Sequence, residues 1–341
     1  MKIYHLSHTD LDGYGAQYIT NFYFKDVKFL NSNYGREIDD KFAQILSEID
    51  ASNDDKNVIL ITDLNLTPAQ CESFEEMIEG KNIKLFLLDH HQSGAECASA
   101  YSWYFLDSSR CATKITYDFF AGIFGQNKEL EIFSDVVNAV DIWLKDDKNF
   151  EMGKVCLGLM ANAKEINKVM FEAENNLYMD HILKEASKFF NEKNDYIGLD
   201  MQVHAIKKSF FKEDKDDTLS NLISNYVVKK LSENKEKFSI SYKDHKGILT
   251  YNVGNVSVIG NDFLVANPEF DFFIDVTNKK TLSFRANGKL DVSAMAKHLV
   301  GGGGHVNASG GLFANFKDGF SYEPIKAQIV DLITKKTQEE I

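Results

Sequence analysis

Proline is almost missing from this chain, with three in 341 residues, so no proline-rich spacer divides it. Cysteine is scarce too. Cys71, Cys97, Cys111 and Cys156 show no Cys-x-x-Cys spacing, which argues against structural zinc. No apolar run reaches the roughly 18 residues needed to cross a bilayer. The N-terminus has no basic start followed by an apolar stretch and a small-residue cleavage site. Reduced thiols in a cytoplasmic protein without a membrane partner are therefore expected. Positive charge is also short, the net charge being −13. A protein that coats duplex nucleic acid needs many Lys/Arg–phosphate contacts, so that class is excluded. A small anionic ligand stays compatible, because bound dications can reverse the field inside a pocket. The arginines are Arg36, Arg110 and Arg285. Each is either a planar two-pronged donor for carboxylate or phosphate, or an ordinary surface residue.

What the chain does contain is enough apolar (44 %) and aromatic (12 %) residue to bury cores, and its length suits two domains. "KIYHLS" (2–7), "VKFLNSNY" (27–34), "NVILITDL" (57–64), "IKLFLLDHH" (83–91) and "SWYFLD" (102–107) read as strands. Amphipathic segments alternate with them, such as "EIDDKFAQILSEI" (37–49). In "LTPAQCESFEEMIEG", Thr67 is the expected N-cap, Pro68 opens the first turn and Gly80 lies just past the end. Strand–helix alternation with continuous apolar strands predicts a parallel sheet covered on both faces. From about 130 to 235 the pattern is helical, with charged stretches at 212–217 and 232–237 as linker candidates. After 238 it changes to a hairpin, strands "FDFFIDVT" and "TLSFRAN", a helix capped by Asp291, a glycine run and a strand-like "LFANF". The expected class is α/β: a parallel-sheet domain over 1–190, a helical linker over 191–237 and a smaller α/β domain over 238–341.

Three polar clusters sit where strands end. "HTDLDG" follows the first strand, Asp63 ends "VILITD", and Asp89, His90 and His91 end "KLFLLDHH". Ligands of parallel sheets collect beyond the carboxyl ends of the strands. Several carboxylates in one crevice need compensating cations, so a metal site is the favoured reading. His8, Asp10, Asp12, Asp63, His90 and Asp141 supply oxygen and imidazole donors without thiolate, which suits Mn²⁺, Mg²⁺ or Fe²⁺. Two ions sharing one carboxylate would use all six donors and hold an activated water in line with a phosphorus centre. Asp63, alone between the other clusters, is the expected bridge. Of the remaining histidines, His5 reads as packed within its strand, and His181, His204 and His245 read as structural. Arg110, in "DSSRCAT", stands at an expected helix N-terminus, a position suited to an anion or to ordinary capping by Ser108 or Ser109. Gly301 to Gly304 would let backbone N–H groups approach a ligand unobstructed, or would simply form a turn. No Gly-Lys-Ser/Thr follows, so the run is not a P-loop.

"HTDLDG", "ITD", "LDHH", "AVD", "SFR" and "GGGGHVNASG", in that order, resemble the motifs of the DHH/DHHA1 phosphoesterase superfamily over essentially the whole chain. The likeness is greatest to its small stand-alone oligoribonucleases, which degrade nanoRNA and linear dinucleotides. The resemblance implies a catalytic DHH domain over 1–190 and a substrate-binding DHHA1 domain over 238–341. It implies one manganese on His8, Asp10 and Asp63, and another on Asp12, Asp63, His90 and Asp141. His91 would contact the scissile phosphate or aid protonation of the leaving group, and Asp89 would orient the neighbouring imidazoles. Arg285 and His305, with Gly301, Gly302, Gly303 and Gly304, would grip the distal end of a nucleotide. The recombination-type exonucleases carry aspartate where this chain has His8, so the first ion's geometry follows the pattern less closely. The expected activity is a Mn²⁺-dependent phosphodiesterase that cuts short 5′-phosphorylated oligonucleotides or linear dinucleotides (pGpG, pApA) to mononucleotides. Alternatives are a cyclic-dinucleotide phosphodiesterase, a 3′-phosphoadenosine 5′-phosphate phosphatase, or a non-catalytic nucleotide-binding regulator. A homodimer is compatible with all of them.

Overall fold

The computed structural model describes residues 1–52, 56–191 and 195–338. It divides into two compact units, Met1–Ala163 with Asn176–Ile206, and Lys164–Asn175 with Lys207–Ile341.

The first unit is built on five strands: β1 (Lys2–Ser7), β2 (Val27–Asn31), β3 (Asn57–Thr62), β4 (Ile83–Asp89) and β5 (Tyr104–Leu106). All neighbours are parallel, in the order β2-β1-β3-β4-β5. Helices follow the strands: α1 (Leu11–Tyr23), α2 (Arg36–Asp50), α3 (Pro68–Ile78), α4 (Ala95–Ala100), α5 (Ala112–Phe124), α6 (Lys128–Asp141) and α7 (Phe150–Ala161). Strands β1 and β3 are buried along nearly their whole length, as continuous apolar runs require when helices cover both faces. Tyr4, Leu6, Ile59, Ile61 and Leu87 pack in one cluster with Phe42 of α2 and Phe74 of α3. Each such side chain contributes about 1.5–3 kcal/mol of burial. Thr67 caps α3 as expected, in a reciprocal box with Gln70, and Pro68 is its first residue.

Two long helices, α8 (Glu172–Ser187) and α9 (Tyr196–Phe211), come next, followed by α10 (Leu219–Glu233) and α11 (Lys235–Phe238). The second unit's sheet contains β6 (Ser239–Tyr242), β7 (His245–Tyr251), β8 (Phe272–Val276), β9 (Thr281–Ala286), β10 (Gly303–His305) and β11 (Ala308–Leu312). Its order is β10-β11-β9-β8-β7-β6, mixed because only β7 and β8 run parallel. Helices α12 (Val256–Ala266), α13 (Val292–Val300) and α14 (Tyr322–Gln338) complete it.

One expected strand is displaced. "LFANF" contributes only Leu312, and the pairing instead uses the glycine-rich "ASGGL" and the end of the glycine run itself. The reason is steric. A Cβ at Gly302 would lie 2.2 Å from the Gly310 carbonyl oxygen, and one at Gly304 would lie 2.7 Å from that of Ala308. Glycine lets these backbones close on one another, so sequence without apolar alternation forms the ladder.

Candidate metal centre

The strand order 2-1-3-4-5 reverses direction of winding between β1 and β3, and the crevice at such a point receives ligands. His8 leaves β1, Asp63 leaves β3, and His90 leaves β4, the next strand across. The three clusters recognised in the sequence therefore open on one crevice. Asp10 is the N-cap of α1, its carboxylate accepting from Gly13 N–H at 3.0 Å, and Asp12 lies in that helix's first turn. Asp141 is the last residue of α6.

Asp63 stands between two groups of donors. Its Oδ2 is 3.6 Å from His8 Nδ1, which is also 2.8 Å from Asp10 Oδ2. Its Oδ1 is 3.3 Å from His90 Nε2, which lies 3.7 Å from both Asp12 Oδ2 and Asp141 Oδ2. The residue holds a positive φ of 56°, a conformation that aspartate tolerates better than most side chains. Asp12 is fixed differently. Its two oxygens accept from the N–H groups of Ala112 and Thr113, each at 2.7 Å, at the N-terminus of α5. The helix N-terminus anticipated beside Arg110 thus does hold an anion, and the anion is the chain's own carboxylate.

Electrostatics identify what these residues lack. Burial, and then the charge of Asp12, push the Asp63 carboxyl well above its ordinary range. Burial and Asp12 likewise raise Asp141 to about 8. His8 is driven up to about 10: burial opposes this, and the hydrogen bond to Asp10 with the nearby Asp63 carboxylate outweighs it. Asp10 falls to about 2 against its own burial, through His8. Asp63 Oδ2 is buried and has no hydrogen-bond partner. Crowded carboxylates that retain protons, and an orphaned oxygen among them, are what a cation would relieve. Ligand atoms of His8, Asp10 and Asp63, of Asp63, His90 and His91, and of Asp12, Cys111 and Asp141 each converge within 4.8 Å. The donor set fits divalent cations.

His91 is held from both sides. Its Nδ1 lies 2.7 Å from Asp89 Oδ1, and its Nε2 is 2.9 Å from the Tyr34 hydroxyl. Asp89 is fully buried and also accepts from Tyr104 OH at 2.8 Å. An acceptor at Nδ1 places the proton there and leaves Nε2 facing the crevice.

Sequence reasoning missed Tyr34, Cys111 and Tyr104. Tyr34 stands just beyond the carboxyl end of β2, so the strand-end rule would have reached it had aromatic residues been weighed. Arg110 pairs with Asp107 at 2.7 Å and with Asp118, so its guanidinium is engaged by carboxylates. In the second unit, Arg285 is paired in register with Ala308, and Ala308 with His305. That row puts Arg285 and His305 on one face of the sheet, two strands apart, roughly 10 Å. Arg285 donates to Ser257 Oγ at 2.8 Å, at the start of α12. Gly301, with a φ of 65°, stops α13, while Gly302 and Gly304 serve the close strand approach described above. His5 is buried and hydrogen-bonded to Thr62, as expected.

No family model matches the chain. A curated 3′,5′-cyclic-nucleotide phosphodiesterase from Helicobacter pylori is 40 % identical to it over 343 residues, covering 97 % of this chain and 99 % of that protein. The crystal structure of an uncharacterized protein from Helicobacter pylori G27 superposes with a TM-score of 0.87, at 40 % identity over 98 % of this chain and 99 % of that one. With such identity along almost the full length of both, the chain belongs to the family of the Helicobacter pylori phosphodiesterase.

Proposed function

We propose that this protein is a phosphodiesterase of the DHH type, dependent on two divalent cations, most suitably Mn²⁺, and acting on a small nucleotide. The observation that carries the reading is Asp63, whose two oxygens face His8 on one side and His90 on the other at the sheet's crevice. His8, Asp10 and Asp63 would hold one ion; Asp12, Asp63, His90 and Asp141 would hold the other. When bound, such ions supply positive charge against the phosphate and make water acidic enough to react near neutral pH.

The chain's own residues do the rest. The α5 N-terminus fixes Asp12 so that its charge stays in place without side-chain ordering. Asp89 holds the His91 ring through Nδ1 and so fixes the direction of Nε2, from which the imidazole would pass a proton to the departing oxygen. The Tyr104 hydroxyl occupies the other Asp89 oxygen and fixes the carboxylate's rotation. Arg285, His305 and the glycine run are the proposed contacts to the remainder of the substrate; Arg110 would have to release Asp107 or Asp118 to join them.

For the substrate, 3′,5′-cyclic nucleotides come first, because the Helicobacter pylori relative is so named and is 40 % identical along nearly its whole length. Short linear 5′-phosphorylated oligonucleotides and dinucleotides are the second reading, supported by the ordered motifs from "HTDLDG" to "GGGGHVNASG". Purified protein with Mn²⁺ should be offered 3′,5′-cyclic AMP and GMP, pGpG, pApA, cyclic dinucleotides, 3′-phosphoadenosine 5′-phosphate and oligonucleotides of increasing length. Fastest turnover of a cyclic mononucleotide upholds the first reading. Preference for pGpG or pApA moves the assignment to the second, and no turnover of any phosphodiester overturns both.

A further inference from the structure

Tyr34 lies in the short link between β2 and α2, and no motif singles it out. Its hydroxyl is 2.9 Å from His91 Nε2, the nitrogen that the phosphodiesterase reading aims at the phosphate. Its ring leans on the imidazole of His8, the centroids 4.7 Å apart, and meets the His91 ring edge-on at 5.6 Å. The side chain nevertheless remains 43 % exposed, so it stands at the opening of the crevice and not in the core.

The link is braced independently of that ring. Ser32 N–H donates to the Ser7 carbonyl at 2.9 Å. Asn33 donates to Glu37 from both its backbone N–H and its side chain, at 3.1 and 2.7 Å, and accepts from Thr9 Oγ1 at 3.0 Å. The tyrosine is thus held in place by its neighbours' hydrogen bonds. Removing its hydroxyl leaves those bonds and the contact with His8 unchanged.

A tyrosine hydroxyl keeps its proton near neutral pH and can donate a hydrogen bond. It now donates to Nε2 because His91 carries its proton on Nδ1, against Asp89. A phosphate oxygen arriving beside His91 Nε2 lies within one hydrogen-bond length of the phenol O–H as well. The hydroxyl would then exchange its contact with the histidine for one with the anion.

We propose that Tyr34 is a substrate-contacting residue whose hydroxyl, beside His91, binds the phosphate of the phosphodiester. The inference rests on the phosphodiesterase reading above and adds to it a binding group on β2's side of the crevice. The test compares Y34F with wild type, both loaded with Mn²⁺. The readouts are KM for bis(4-nitrophenyl) phosphate, inhibition by inorganic phosphate, and calorimetric affinities for inorganic phosphate and for Mn²⁺. Loss of one hydrogen bond to a charged group predicts a rise of about tenfold in KM and in the phosphate inhibition constant. The fall in kcat should be much smaller, with Mn²⁺ affinity preserved. Unchanged KM and phosphate affinity, whatever happens to kcat, overturn the proposal. So does a variant that loses Mn²⁺ affinity in step with activity, since Tyr34 would then act through His8. A wild-type protein that hydrolyses no phosphodiester sinks the functional reading separately, and the phosphate titrations of the two proteins still decide this one, equal affinities overturning it.

Discussion

Asp63 illustrates how a single side chain can be wrong for stability and right for a site. It is buried, left-handed in its backbone, orphaned at one oxygen and close to other carboxylates. Cations on its two oxygens would offset the burial, the orphaned oxygen and the crowding of carboxylates. D63N is the informative variant, because asparagine also tolerates positive φ and keeps the shape. Its kcat with Mn²⁺ should fall at least about tenfold, since a neutral amide cannot offset cationic charge as a carboxylate does. In metal-free buffer at pH 8 its Tm should instead exceed that of wild type, because one crowded negative charge has gone. Steady-state kinetics and a thermal melt check both halves; retained turnover above a tenth would remove Asp63 from the proposed role.

Among elements, α1 shows why the "HTDLDG" stretch has its glycine. A Cβ at Gly13 would lie 2.3 Å from the His8 carbonyl oxygen and 2.8 Å from its nitrogen, both backbone atoms that cannot swing aside. The helix can only start this close to β1 because nothing projects there. G13A should force α1 away from His8, at about 1–3 kcal/mol of strain. Because Asp10 and Asp12 travel with the helix, Mn²⁺ affinity should drop further than Tm, which calorimetry and melting measure separately. The same element explains what could be read from the chain alone. His8, Asp63 and His90 were legible because each ends an apolar strand, and the strand-end rule needs no tertiary information. Asp10 and Asp12 followed as their neighbours. Tyr34 and Cys111 were overlooked: one is an aromatic just past a strand end, the other a buried N-cap thiol, and neither residue type announces a ligand site. The glycine run was recognised as unusual, but that it pairs as an edge strand follows from contacts with Gly310 and Ala308, far along the ladder rather than in the local pattern.

At the scale of the whole molecule, an acidic chain carrying a dense carboxylate cluster should couple its stability to pH through bound cations. Without metal, Asp63 and Asp141 retain protons in the folded state to higher pH than the ordinary value of 3.8, Asp141 to about 8. The folded state then binds more protons than the unfolded chain across that window, so stability falls as pH rises from about 4 toward 8. His8 acts in the same sense over a higher window: its folded value of about 10 against 6.5 gives stability that is fully present below about 6.5 and is lost as pH climbs through 10. Both contributions therefore predict that the metal-free protein weakens toward alkaline pH. Cations change this, because they compete with those same protons for the oxygens and for His8. The Tm gain on adding Mn²⁺ to chelator-treated protein should be small at pH 5.5 and increase steadily to pH 8.5, with protons released on binding. Differential scanning fluorimetry across that range, alongside calorimetry in buffers of different ionisation enthalpy, measures both. A Tm gain that stays flat with pH would mean that the six donors do not hold the ion, and the centre would have to be sought on other residues.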